Sequence, residues 1–216
     1  MSKVSVILLA RGCGIRINHL VPKHFLFLKD KVIGRYSFDL FKTIPMIFEI
    51  IVVCDSQYRS LFRSCKFADP GQERQDSVWN GFQHLSPESE FVAIHDSARH
   101  FLTRSLVIEL IEQATIHPGV ASAVRVKSTI KQASSDGFVI QTLDRSTLWE
   151  TDTPKIITPQ RLREGLSIAR SKQLVLTDDM AALELLEYPV KLIPGSYQNI
   201  KITTPEELLI EHSFLS

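Results

Sequence analysis

Seven residues near the amino terminus, Val4-Ser-Val-Ile-Leu-Leu-Ala10, constrain the fold more than any others in the chain. A continuous apolar run with β-branched members reads as a strand covered on both faces. Gly12-Cys-Gly14 follows at once. Glycines there let the backbone turn sharply and bring its N–H groups close to a ligand. Arg16 and Lys23 come next. A buried strand, a glycine turn and two flexible cations form a cradle for a polyphosphate, which puts a nucleotide at the front of the chain. Taken alone, two glycines also fit a plain tight turn, and two lone cations fit a solvated surface. Ile17 stands where a dinucleotide-binding fingerprint needs its third glycine, which disfavours a nicotinamide-dependent oxidoreductase. A Gly-Lys-Ser/Thr phosphate loop is absent as well.

The rest of the chain alternates between the two periodicities. Ile33, Tyr36, Leu40, Phe41 and Ile44 fall on one helical face, and Glu49–Cys54 follows as a strand. Helices are expected over Gln57–Ser64 and Asp76–Leu85, a strand over Phe91–His95, a helix around Leu106–Ala114, and a strand over Val120–Val126. This β-α rhythm implies a parallel sheet covered by helices. Ligands of such sheets sit beyond the carboxyl ends of the strands, where the Gly12 and Asp96 loops both fall.

The rhythm breaks at Ser128. Thr129–Ala133 and Phe138–Thr142 flank Ser-Ser-Asp-Gly137, a hairpin signal. The hairpin reads as an arm, spanning about residues 128–147, of a kind that a partner subunit commonly covers because unpaired edges are a liability. Helices then read over Pro159–Arg170 and Asp178–Glu187, short strands over Val190–Ile193 and Ile200–Thr203, and a last helix opens at Thr204-Pro205. One domain covering residues 1–216 is expected.

Bulk properties remove several classes of function. Twenty-five Lys and Arg against 24 Asp and Glu leave no basic excess for general nucleic-acid binding. Apolar runs stay short of a membrane span. Met1-Ser-Lys leads directly into the first strand, with no room for a targeting peptide. Three scattered cysteines without metal-ligand spacing suit a reduced, cytoplasmic protein.

Four clusters carry candidate chemistry. Gly71-Gln-Glu-Arg-Gln-Asp-Ser77 is either a loop leading into a capped helix or a loop that reads a nucleobase edge with backbone groups and Ser77. His95-Asp-Ser-Ala-Arg99 closes a strand with a carboxylate and an arginine. Either they pair with each other, or Asp96 lies near a metal or ribose and Arg99 near a phosphate. In Asn199-Ile-Lys201-Ile-Thr203 a lysine sits within an apolar strand, either snorkelling at an edge or aimed at a developing negative charge. Thr177-Asp178-Asp179 fits a helix cap, with substrate contact by Thr177 as the alternative.

Taken together, and in this order along nearly the whole chain, these clusters resemble the 2-C-methyl-D-erythritol 4-phosphate cytidylyltransferase family of the non-mevalonate isoprenoid pathway. The segments that carry the resemblance also include Pro22-Lys23, Asp144-Arg145, Leu148-Trp149 and Thr153-Pro154. The resemblance implies a Rossmann-like α/β sandwich of three layers, with a mostly parallel central sheet and a protruding hairpin arm. It further implies CTP and a polyol phosphate as substrates, Mg2+ and a homodimer. Arg16, Lys23 and Lys201 then take the catalytic charges. Ala10, Arg11, Gly12, Gly14, Gly71, Gln72, Ser77 and Asp96 surround CTP, and Asp96 is a possible metal ligand. Arg99, Thr129, Arg145 and Thr177 serve the acceptor, with Thr129 and Arg145 reaching the neighbouring subunit through the arm. Ribitol-5-phosphate cytidylyltransferases look similar, and a non-catalytic nucleotide-binding module is a further alternative.

This chain departs from the family pattern at Arg11 and Ser97, where alanine is usual, and at Ile15, often arginine. Gln72 and Lys155 depart too, standing where aspartate and glutamine occur. None of these changes removes a proposed catalytic cation. The implied reaction also needs no general base. A phosphomonoester, with a second pKa of about 6, is already an anionic nucleophile near neutral pH.

Overall fold

A computed structural model describes residues 2–11 and 22–201. The elements in chain order are β1 (Val4–Leu9), β2 (Phe27–Leu28), β3 (Lys31–Val32), α1 (Ile33–Lys42), β4 (Ile47–Val53), β5 (Lys66–Ala68), α2 (Arg74–Phe82) and β6 (Phe91–Asp96). They continue with α3 (Arg104–Ala114), β7 (Gly119–Arg125), β8 (Lys131–Ala133), β9 (Val139–Thr142), β10 (Trp149–Ile157), α4 (Pro159–Ser171), α5 (Ala181–Glu184) and β11 (Val190–Pro194). A seven-stranded sheet runs in the order β11-β7-β10-β6-β1-β4-β5. β1 lies between β4 and β6, parallel to both, with every residue buried. That is the environment its apolar run demands.

Alternation along the strands divides the core into two layers. Val4, Val6 and Leu8 of β1, Ala93 of β6 and Ile156 of β10 face one cluster, filled by Phe38 and Phe41 of α1 and by Val107, Leu110 and Ile111 of α3. Ile7, Leu9, Val92, Ile94 and Ile157 face the other, against Val78 and Phe82 of α2 and Leu162 and Leu166 of α4. A strand's period of two thus sends successive side chains into opposite helical layers. Each such side chain, once buried, contributes about 1.5–3 kcal/mol. The three-layer α/β architecture with a mostly parallel sheet agrees with the sequence expectation. Among the described residues no helix is long and apolar enough to cross a membrane.

The structure departs from the sequence reading at β10, which that reading left without a strand. This strand is antiparallel to both neighbours and sits between β6 and β7. It begins Trp-Glu-Thr-Asp-Thr-Pro, a polar stretch with a proline that carries no strand signature. It forms nonetheless because its buried polar members find partners, as described below. Four smaller differences accompany it. Ser56–Leu61 is a 3-10 turn rather than a helix. α2 starts at Arg74, not Asp76. The helix expected over Asp178–Glu187 shrinks to α5, because the Asp178 carboxylate accepts the Met180 and Ala181 N–H groups in a turn ahead of it. Ile200 and Lys201 lie outside any strand, and Ile202, Thr203 and the helix expected at Thr204 fall outside the described residues.

The hairpin is present. β8 pairs antiparallel with β9, and Gly137 turns between them at a φ of +89°. Both strands are exposed along their whole length, and Phe138, Val139 and Ile140 stand open to solvent. Elsewhere, α4 approaches α5 closely enough that a Cβ at Gly165 would lie 2.3 Å from the Ala182 carbonyl oxygen. Gly165→Ala gains helix propensity of about 1 kcal/mol but forces the two helices apart. Chemical denaturation should show a net loss of about 1–3 kcal/mol, the usual cost of overpacking.

Candidate active site

β1 and β6 end side by side, with Leu9 opposite Asp96 and the Ser97 N–H donating to the Leu9 carbonyl at 3.0 Å. The chain leaves both strands at this carboxyl edge, and four charged side chains meet there. Arg74, at the start of α2, donates through Nε and Nη2 to Asp96 Oδ1 at 3.2 Å, and through Nη1 to Asp179 at 2.6 Å. Lys201 donates to the second Asp96 oxygen at 2.7 Å. Burial alone would raise the Asp96 pKa, but the charges of Arg74 and Lys201 overcome it and hold the carboxyl far below the usual carboxylate range.

Two neutral histidines brace this centre. His95 Nε2 faces the Arg99 carbonyl at 3.0 Å, so it carries the proton, and Nδ1 accepts from the Thr153 hydroxyl at 3.0 Å. The same hydroxyl accepts the Asp96 N–H at 3.1 Å. β10 is thereby fastened to the end of β6. His24 follows Lys23 in a short 3-10 turn and donates from Nε2 to the Arg11 carbonyl at 2.9 Å. Its Nδ1 accepts from the Ser97 hydroxyl at 2.8 Å. Burial lowers the His24 pKa to about 3 and the His95 pKa to about 4, so both stay uncharged at neutral pH.

The Gly71–Ser77 segment is a tight loop. Gly71 N–H donates to Ser77 Oγ at 3.0 Å, and a Cβ at Gly71 would lie 2.2 Å from the Asp76 Cβ, which requires glycine there. Arg11 reaches across to the Gln72 carbonyl at 3.3 Å, joining this loop to the end of β1. On the other side of Lys201 a cavity of about 450 Å³ opens, lined by Arg99, Glu150, Asp152, Tyr197 and Asn199 among others. Arg99 Nη1 contacts Asp152 Oδ1 at 2.6 Å and the Asn199 carbonyl at 2.6 Å, and Asn199 Nδ2 donates to the Thr153 carbonyl at 3.0 Å. Burial pushes the Asp152 pKa up to about 6 against the opposing charge of Arg99.

Most of the residues singled out from sequence converge on this edge. Ala10 is buried and donates to the Val53 carbonyl at 3.0 Å, and Lys23 begins the turn that holds His24. Asp96, Arg99 and Lys201 form the centre and its flank. Gly12, Gly14 and Arg16 lie outside the described residues. Thr177 is exposed just ahead of Asp178, which pairs with the buried Lys155. Thr129 and Arg145 stand apart, exposed on the arm, where Arg145 donates to the Lys127 carbonyl at 2.7 Å. Both Asp96 oxygens accept from cations, Oδ1 from Arg74 and Oδ2 from Lys201. Among the described residues no group of three His, Cys, Asp or Glu forms a metal site.

Sequence reasoning passed over Arg74, Asp179, His24, Thr153 and Asp152. Arg74 and Thr153 lay inside motifs already noticed, and His24 directly follows Pro22-Lys23. Their partners lie too far along the chain for a local pattern to reveal.

A strand-edge cluster of cations paired with carboxylates, beside a tight glycine loop on a three-layer α/β sheet, is an arrangement that suits a nucleotidyltransferase, the class to which comparison with known proteins assigns the chain. The model of the 2-C-methyl-D-erythritol 4-phosphate cytidylyltransferase family matches residues 4–216, and the chain belongs to that family. Among its relatives, the chloroplastic rice enzyme of that name is 41% identical, covering 99% of this chain and 74% of the relative. The enzyme of Chlamydia pneumoniae is 39% identical over the full length of both chains. The crystal structure of the Francisella tularensis enzyme is 27% identical, with a TM-score of 0.85 over 98% of this chain and 99% of that one. The synthase from Anaerococcus prevotii, 24% identical, shares the fold with a TM-score of 0.88 over 99% and 98% of the two chains.

Two predictions follow from the buried charges. Arg74→Met leaves Asp96 and Asp179 without their shared partner. Removing one member of a buried pair costs about 3–5 kcal/mol, and the part of Arg74 open to solvent puts the loss near the lower figure, measurable by denaturation at pH 7. Asp152 gives a pH signature of known sign. Its folded pKa of about 6 exceeds the ordinary 3.8, so the folded state binds the proton more tightly. Stability from this group is present below pH 4 and is lost as pH rises through about 6. The melting temperature of the wild type should therefore fall relative to Asp152→Asn across that window, and parallel curves would contradict the assignment.

Proposed function

We propose that this protein transfers CMP from CTP to 2-C-methyl-D-erythritol 4-phosphate, releasing pyrophosphate and 4-diphosphocytidyl-2-C-methyl-D-erythritol. The observation that carries the reading is the Lys201–Asp96–Arg74 centre, which sets a cation between the nucleotide-side loops and a polar cavity. An oxygen of the acceptor phosphate attacks the α-phosphorus of CTP, a new P–O bond forms, and the bond to the β-phosphate oxygen breaks. That nucleophile is already anionic. The site agrees with this, because both nitrogens of His24 and of His95 are committed to hydrogen bonds and neither imidazole is free to act as a base.

The chemical obstacle is the charge gathered at the α-phosphorus. Lys201, Lys23 and Arg16 are the cations we assign to it. Gly12, Gly14, Gly71, Gln72 and Ser77 hold the nucleotide by backbone and hydroxyl groups. A divalent cation such as Mg2+ would add charge neutralisation at the triphosphate, with Asp96 as the carboxylate closest to Lys201. We further propose a homodimer in which the exposed arm carries Thr129 and Arg145 to the partner's acceptor phosphate, a role that a guanidinium fork suits. The free thiols of Cys54 and Cys65 are consistent with a cytoplasmic location.

The direct test is pyrophosphate release from CTP with methylerythritol phosphate, with ribitol 5-phosphate and the other nucleoside triphosphates as controls. A preference for ribitol phosphate would overturn the acceptor, and preference for another triphosphate would overturn CTP. Lys201→Met should lower kcat by about 10²–10³ while CTP affinity falls much less. Equal losses in rate and affinity would make Lys201 a ground-state binder. For the dimer, subunits carrying Arg145→Ala and Lys23→Ala are each expected to be inactive. Mixed dimers should regain activity, since one site then carries neither lesion. Proven heterodimers that stay inactive would place the whole site within one chain.

A further inference from the structure

The cavity beside Lys201 sets two carboxylates away from the lysine, a wall whose chemistry suits hydroxyls better than a second anion. Glu150 and Asp152 line it together with Arg99 and Lys201. Two like charges 4 Å apart repel by about 4 kcal/mol even at an effective dielectric of 20, so a phosphate dianion avoids the carboxylate wall. A hydroxyl does not, because it donates to a carboxylate and accepts from a guanidinium. Asp152, 8% exposed, is turned inward and holds Arg99 at 2.6 Å.

Behind this wall two atoms are buried without a hydrogen-bond partner among the described residues: Arg99 Nε, a donor, and Asn199 Oδ1, an acceptor. Asn199 is 2% exposed and its amide nitrogen is already committed to Thr153. Buried polar atoms are normally satisfied, and each unmet one calls for an explanation. Both atoms are closed off from the cavity, so they form a polar backing to its lining and not ligand contacts.

We propose that Asp152 is a specificity-determining residue of the acceptor site, reading with Arg99 the uncharged, hydroxylated end of the acceptor and rejecting acceptors that carry a second anion there. The proposal rests on the cytidylyltransferase reading above and assigns a residue to its selectivity. The acceptor lies with its phosphate toward Lys201 and its hydroxyls toward Asp152. Attraction comes from the hydroxyl bonds, and a buried hydrogen-bonding wall discriminates strongly against ligands that leave it unpaired. Rejection comes from the carboxylate charge, which acts against the wrong substrate rather than for the right one.

Two variants separate these effects. Asp152→Asn keeps the shape and a hydrogen-bond acceptor but removes the charge, whereas Asp152→Leu removes both. With circular dichroism and melting as controls for folding, kcat/KM is measured at pH 7.5 for 2-C-methyl-D-erythritol 4-phosphate and for erythronate 4-phosphate, whose far end is a carboxylate. Asp152→Asn should narrow the preference for the polyol about tenfold, mainly by improving the aldonate. Asp152→Leu should raise the polyol KM about tenfold or more, with kcat changed less than threefold and the CTP KM unchanged. An unaltered preference in Asp152→Asn overturns the proposal, and that variant suffices if Asp152→Leu does not fold. Calorimetric binding of the polyol phosphate to protein saturated with α,β-methylene-CTP keeps the two readings distinct. Binding that weakens on loss of Asp152, without pyrophosphate release from CTP, supports the residue and defeats the catalytic reading. Turnover with binding indifferent to Asp152 defeats the residue alone. Absence of polyol phosphate binding in the wild type defeats both.

Discussion

The carboxylate of Asp96 is the charge on which the catalytic edge depends. It terminates a central strand, and three distant parts of the chain are fastened to that one residue. Arg74 arrives from α2, Lys201 from the segment after β11, and Thr153 of β10 receives the Asp96 N–H. Without the carboxylate, two cations would face each other across a partly buried site. With it, the lysine to which the proposed reaction assigns a charge-stabilising role is held at a set position by a 2.7 Å bond. Electrostatic stabilisation is effective when the charges are placed in advance and need no reorganisation.

Among the described residues, the departures from the family pattern are partnered rather than scattered; Ile15 lies outside them. Arg11 touches the backbone of Gln72, so two atypical positions meet between β1 and the Gly71 loop. Ser97 supplies the hydroxyl that fixes the His24 ring, which in turn holds the Arg11 carbonyl just beyond β1. Lys155 is buried and pairs with Asp178, tying the Thr177 loop to β10. A buried lysine without that carboxylate would be costly. These residues are therefore integrated into local networks around the site, and their effects belong to those networks.

How far the sequence was legible follows from which forces act locally. β1, β4 and β6 were plain because burial on both faces writes an unbroken apolar run. The arm was plain because Asp136-Gly137 supplies the backbone conformation of a hairpin turn. β10 was not, since Asp152, Thr153 and Lys155 look like loop residues until Arg99, His95 and Asp178 are seen beside them. The same reason hid the Arg74–Asp179 pair, whose members are 105 positions apart in the chain. Lys201 stood out as a charge in an apolar run; the structure places it outside any strand among the described residues, bonded to Asp96.

The placement of β10 also governs the order in which the molecule can be assembled. β6 and β7 follow each other closely in the chain but never touch, because β10 lies between them. During synthesis, the block β5-β4-β1-β6 and the later β7 therefore remain two unjoined pieces, each with an open edge. They become one sheet only after residue 157 has been made and β10 slides in antiparallel to both. Pairings that wait for distant chain are slow to form and leave strand edges exposed meanwhile. The polar first half of β10, so poor as a strand signal, thus belongs to a keystone: a late insert that bridges β6 and β7 while its buried Asp152 and Lys155 pair with Arg99 and Asp178 outside the sheet.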